Sequence, residues 1–302
     1  MILPENMTSR RAFLKTTAGT VAGIAVSPLL LGAEVIVDHK PSSISLGVFA
    51  SYEHAVYLKN LGCGYIEESV GGFLIPKEGQ PQFDQNLQAL HTLKFPIRSY
   101  VILLPGDLKT VGPDANHQGV LERTELALKR AKACGSKYIV FGSGGARHIP
   151  DGFDREKAKA QHIAVTKGMA PLAEKYGVTI AVEPLNRGET NFINSLAEGV
   201  EIVEAIKSPG VKLLCDIYHM LKEDESSDEI LKYGKHIVHC HIAEREKRTP
   251  PGVKGDDFRP YLSALKKIGY KGGLSIECFE YTDFDREIKT GIEVLRKQIS
   301  EA

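Results

Sequence analysis

The chain has 302 residues, 42% hydrophobic and 25% charged, the balance of an ordinary soluble globular protein and enough length for a barrel of about 250 residues. Thirty-eight basic residues are matched by thirty-eight acidic ones, so no global field draws in nucleic acid or an anionic membrane. Five cysteines without a CxxC pair exclude reliance on a dense disulfide framework.

Residues 1–33 differ from the rest. Ser9 to Lys15 reads SRRAFLK, with Arg10 and Arg11 ahead of an uncharged run from Thr16 to Ala33. This segment resembles the twin-arginine export signal of bacteria. The resemblance implies engagement of the twin-arginine export machinery, cleavage near Ala33 and a periplasmic or secreted product. The apolar core is short and rich in Gly, Thr and Ala, which disfavours a stable membrane anchor. Residues 34–302 are left as a single domain.

From Ser42 onward short apolar or β-branched runs alternate with helical patterns. Strands are expected at 44–49, 65–69, 98–104, 137–142, 178–183, 211–216, 236–242 and 273–278. Helices are expected at 51–61, 83–94, 119–134, 154–176, 195–207, 224–233, 257–268 and 283–299. Eight β/α repeats without an antiparallel hairpin signature predict a closed parallel barrel, the (β/α)8 or TIM barrel, with an open doubly wound sheet as the alternative. Gly177 and Gly269 are expected to end helices in left-handed caps.

In a barrel, the C-terminal strand ends converge. Glu183, Asp216, His241 and Glu277 each close a separate strand, so three carboxylates and one imidazole meet around one divalent ion. That donor set suits Mn²⁺, Mg²⁺ or Co²⁺ and does not exclude Zn²⁺. Cys215, Cys240 and Cys278 each adjoin one of these residues, and a two-residue period sends the thiols outward to the helix layer. The Gly-rich stretch 142–154 reads as a substrate loop or a flexible rim, with Arg147 an anion contact. Glu67 or Glu68 ends the second strand, and a carboxylate there is a candidate to face substrate, or a rim hydrogen-bonding group. Phe49, Phe73 and Tyr218 are candidates for an apolar wall or for packing.

The stretches VEPLNRGETN, LLCDIYHM, HCHIAEREKR and LSIECF resemble the sugar isomerase/epimerase family of xylose-isomerase-like barrels, and the likeness covers nearly all of 44–299. The resemblance implies that Glu183 and Glu277, besides holding the metal, act as the acid/base pair. It implies that His219 and Glu189 hold substrate hydroxyls, and that Lys247 or Arg248 reaches the substrate. The implied substrate is a carbohydrate. A hydroxy-ketone held by a divalent ion has an acidified α-proton, which a carboxylate removes and an acid returns. A metal-dependent endonuclease shares the fold and the pattern at Asp216, His219, His241 and Glu277, but it needs histidines on the early strands, which ISLGVFA and RSYVILLPG lack. A barrel that binds sugar without catalysis is the remaining alternative.

Overall fold

The structure is a computed structural model that describes residues 44–302; the expected export signal lies outside the described residues. Among these residues, parallel strands β1 (Ser45–Phe49), β2 (Tyr65–Ser69), β3 (Ile97–Val101), β4 (Tyr138–Phe141), β5 (Thr179–Val182), β6 (Val211–Asp216), β7 (Ile237–Ile242) and β8 (Gly273–Ile276) close a barrel in sequence order. The β8–β1 pairing, from Ser45 against Gly273 to Val48 against Ile276, seals it. The helices are α1 (Ala55–Asn60), α2 (Gln80–Leu93), α3 (His117–Ala133), α4 (Gly144–Arg147), α5 (Arg155–Tyr176), α6 (Leu196–Ile206), α7 (Ile217–Lys222), α8 (Asp228–Tyr233), α9 (Arg259–Lys267) and α10 (Phe284–Glu301). None is long and apolar enough to cross a membrane.

The strands lie where the alternation predicts them, with ends that differ for local reasons. β3 stops at Val101 and not at residue 104, because Ile102 turns to a φ of 59°, a conformation a β-branched residue rarely adopts. The helix expected at 224–233 is shortened to α8, and a helix that was not expected, α7, precedes it. α7 starts directly from β6, with Asp216 serving as its cap by accepting from the backbone N–H of Tyr218 at 2.8 Å. Gly177 (φ 68°) and Gly269 (φ 69°) take the expected left-handed cap positions.

Alternation along each strand separates two cores. Val101, Val140, Ala181 and Leu214 form an apolar cluster with Phe49 and Val238, apart from the large cluster that contains Cys215, Cys240 and Cys278. The thiols therefore lie in the larger core as the period requires, and Cys215 Sγ packs 3.5 Å from Met220 Sδ. All five cysteines are free. Full burial of a side chain such as Leu214 contributes about 1.5–3 kcal/mol, so the closed sheet is held chiefly by such residues.

Candidate metal centre

Glu183, Asp216, His241 and Glu277 come from β5, β6, β7 and β8 or the residue that follows them, and all four are buried. One ligand atom from each falls within 4.8 Å of all the others. Donor atoms about 2.1 Å from an ion stand roughly 3–4.2 Å apart, a spacing that His241 Nδ1 already has to Glu183 and Glu277, so the set is a candidate for a single divalent cation. Nδ1 of His241 faces both Glu183 Oε1 at 3.0 Å and Glu277 Oε2 at 3.2 Å. Asp216 divides its labour: Oδ1 caps α7, and Oδ2 stands 3.3 Å from Arg248 Nη2 and 3.4 Å from His219 Nε2. Gly142, the residue after β4, leaves space for the Glu183 carboxylate, since a Cβ there would meet Glu183 Oε2 at 2.1 Å.

The charges in this enclosure push like groups apart. Burial raises the Glu183 carboxyl, and the negative Glu277 adds to the rise. Burial also pushes Glu277 up, but the charges of His241 and Arg248 override it and hold it down to about 2. Burial raises Asp216 to about 7 against the opposing pull of Arg248. For His241 burial favours the neutral ring, yet Glu277 and Glu67 outweigh it and raise its pKa well above the ordinary value. Three carboxylates kept so close require cations, which Arg248 supplies in part and a divalent ion would complete.

Arg248 and His219 complete the rim of this centre. The Arg248 guanidinium ion-pairs with Glu277, reaches Glu189 Oε1 at 3.3 Å, and lies between the rings of Tyr218 and Phe279, 4.6 and 4.8 Å from their centroids. Its neighbour Lys247 stays exposed, so of the two alternatives it is Arg248 that enters the centre. His219 Nδ1 accepts from the backbone N–H of Asn186 at 3.1 Å. That bond commits the proton of the neutral ring to Nε2, which is buried, without a hydrogen-bond partner and beside Asp216. Burial lowers the His219 pKa well below its ordinary value, and Arg248 adds to this, so the neutral ring is favoured.

Two expectations are corrected, and for Phe73 the packing alternative holds. Arg147 is not an anion contact on a rim loop: it ends the short α4, is fully buried, and donates to the carbonyls of Phe141, Glu183, Phe192 and Ile193. Its role is to tie the β4 loop to β5, because a buried guanidinium needs acceptors on every side. Glu67 does not face substrate; it sits behind His241, with Oε2 3.1 Å from His241 Nε2 and Oε1 2.5 Å from His239 Nε2. Burial pushes the Glu67 carboxyl up, and the imidazoles of His241 and His239 override it and hold it well below the usual range. Phe73 is core packing against Tyr52 and Tyr100, whereas Phe49 meets the exposed Phe279 edge-on at 5.4 Å.

Sequence reasoning missed Asn186, His239 and Glu244. Asn186 lies in the VEPLNRGETN stretch and His239 one strand period before His241, so periodicity alone could have flagged the latter. No histidine stands on β1, β2 or β3 among the described residues, although Glu67 of β2 joins His239 and His241 in a second group whose ligand atoms lie within 4.8 Å of one another.

A closed parallel barrel with acid and imidazole side chains gathered at its C-terminal strand ends defines a class of (β/α)8 proteins with a candidate metal centre. The xylose isomerase-like TIM barrel family matches residues 56–298, and the chain belongs to that family. An L-ribulose 3-epimerase from Methylomonas sp. (strain DH-1) is 30% identical over 171 residues, 56% of this chain and 57% of that protein. The chain thus spans little more than half the length of that relative. Among solved structures, D-psicose 3-epimerase from Clostridium cellulolyticum H10 superposes with a TM-score of 0.75 at 20% identity, over 85% of this chain and 99% of that one. The 3-keto-D-glucoside 4-epimerase of E. coli gives a TM-score of 0.72 at 18% identity over the same shares.

Proposed function

We propose that the protein is a divalent-metal-dependent isomerase or epimerase that moves a proton at the carbon beside the carbonyl of a ketose or keto-sugar derivative. The observation that carries the reading is the meeting of Glu183, Asp216, His241 and Glu277 within 4.8 Å, ringed by Arg248 and His219. Kinship with proteins named as ketose epimerases supports it. Mn²⁺ is the favoured ion, because hard oxygen donors outnumber the single imidazole; Mg²⁺, Co²⁺ and Zn²⁺ are compatible with the same set. When bound, the ion supplies Lewis-acid stabilisation of the negative charge that develops on the substrate oxygens as an enediolate forms.

The chain's own groups do the rest. Glu183 and Glu277 face the same nitrogen of His241, and we assign them the removal and return of the α-proton. His219 offers its Nε2–H to a substrate hydroxyl, with Asn186 holding the ring. Arg248 places a positive charge above the centre, and Glu189 orients it. Incubating Mn²⁺-loaded protein with D-psicose, L-ribulose and 3-keto-glucosides in D₂O should erase the α-proton NMR signal of at least one of them. Binding without exchange would instead identify a sugar-binding barrel, and neither binding nor exchange would end the reading.

We also propose export through the twin-arginine pathway, on the strength of Ser9 to Lys15 and the uncharged run after it. Replacing Arg10 and Arg11 together by lysine should retain the protein in the cytoplasm of a bacterial host. Fractionation that finds it still in the periplasm would refute the proposal.

A further inference from the structure

Three residues beyond His241, Glu244 is wholly buried in the loop that leads from β7 to α9. Its carboxylate is saturated by the loop itself. Oε1 accepts from the backbone N–H of Gly252 at 2.7 Å, Gly255 at 2.8 Å and Asp256 at 3.3 Å. Oε2 accepts from the N–H of Lys254 and from the Thr249 hydroxyl at 2.9 Å. Gly252 and Gly255, with φ of 90° and 92°, adopt a backbone that helps turn their N–H groups inward, so the loop forms an anion-holding concavity around a side chain of its own.

The same residue closes a tighter turn. The Glu244 N–H donates to the Thr249 carbonyl at 2.8 Å, and between these ends Lys247 and Arg248 both take left-handed φ, 58° and 52°. Two consecutive non-glycine residues hold that conformation only where their surroundings impose it. Here the outcome is a guanidinium aimed at Asp216 and Glu277.

We propose that Glu244 is a positioning residue: by gathering the loop 249–256 onto its carboxylate it holds the turn 244–249 in the strained form that delivers Arg248 to the metal centre. The idea rests on the function proposed above only for its kinetic consequences.

The test uses the whole chain and two readouts. Glu244→Gln keeps the shape but turns an amide NH₂ toward backbone N–H groups, and Thr249→Val removes a single donor. Trypsin cleavage after Lys247 or Arg248, which needs no sugar, should quicken about tenfold in Glu244→Gln and about threefold in Thr249→Val, while Mn²⁺ uptake is retained. For the ketose turned over fastest in the panel, Glu244→Gln should raise KM about as much as Arg248→Ala, and the double variant should be no worse than Arg248→Ala alone. Unchanged cleavage in both variants, or effects of Glu244→Gln and Arg248→Ala that multiply, would overturn the proposal. If Glu244→Gln does not fold, the cleavage rate of Thr249→Val decides. If wild type exchanges no proton on any ketose, the function falls and the cleavage arm alone judges Glu244.

Discussion

At the scale of residues, the two oxygens of Asp216 explain why a strand end was readable and its surroundings were not. A carboxylate closing a strand is either a helix cap or a ligand on general grounds; Asp216 is a cap through Oδ1 and turns Oδ2 to the centre, where Arg248 donates to it. The four candidate ligands were legible because each depends only on strand period and barrel closure. Asn186 and Arg147 were not, since whether a loop side chain turns inward depends on acceptors contributed by distant segments. For His219, replacement by Ala should leave Mn²⁺ binding within about threefold and raise KM, because the ring meets the ion's ligands only at the edge of the site. Glu183→Gln should weaken the metal and abolish α-proton exchange; full exchange in that variant would sink the assignment of the base. Glu67 gives a separate test. A carboxylate behind a metal-binding imidazole fixes which nitrogen carries the proton, and loss of such a partner lowers metal affinity about 10–100-fold. Glu67→Gln should show that loss in a chelator-competition titration, with His239 left in place as the neighbouring hydrogen-bond partner.

At the scale of elements, helix α5 carries a buried histidine unrelated to the centre. His162 stacks on Phe141 with ring centroids 5.2 Å apart, and its Nδ1 lies 3.1 Å from the Thr110 hydroxyl. Burial, with Arg147 and His117 adding positive charge, pushes its pKa down to about 3. The unfolded chain binds the proton near pH 6.5, so the folded state binds fewer protons between about pH 6.5 and 3 and loses stability as pH falls through that window. The expected slope is about 1.4 kcal/mol per pH unit, or roughly 2 kcal/mol on going from pH 7 to pH 5. Urea titrations at the two pH values should show this loss in wild type and a smaller one in His162→Phe; an equal loss in both would assign the acid sensitivity to other groups. The sequence placed α5 to within a residue because Asp154 and Gly177 mark its ends, while α7 went unread because no loop separates it from β6.

At the scale of the whole molecule, the candidate ligands come from four consecutive strands, β5 to β8, so an ion joined to them ties half of the barrel together. Without it, Glu183, Asp216 and Glu277 crowd one another, with Arg248 and His241 in ion-pair contact with them, and part of that repulsion is relieved by proton uptake. An ion that binds the folded chain and not the unfolded one stabilises it by RT ln(1 + [L]/Kd), about 4 kcal/mol when free Mn²⁺ exceeds its dissociation constant a thousandfold. For a domain of this size each kcal/mol moves the melting temperature by about 2–4 °C. Treatment with EDTA should therefore lower Tm by roughly 8–16 °C from the Mn²⁺-saturated value, and returning Mn²⁺ should restore it. Asp216→Asn combined with Glu277→Gln supplies the control. Those substitutions remove two anionic donors and their mutual repulsion, so the apo protein should melt no lower than apo wild type and should not respond to Mn²⁺. A wild-type melting temperature indifferent to both chelator and metal would show that the four side chains form a structural network and not a metal centre, whatever the barrel's kinship.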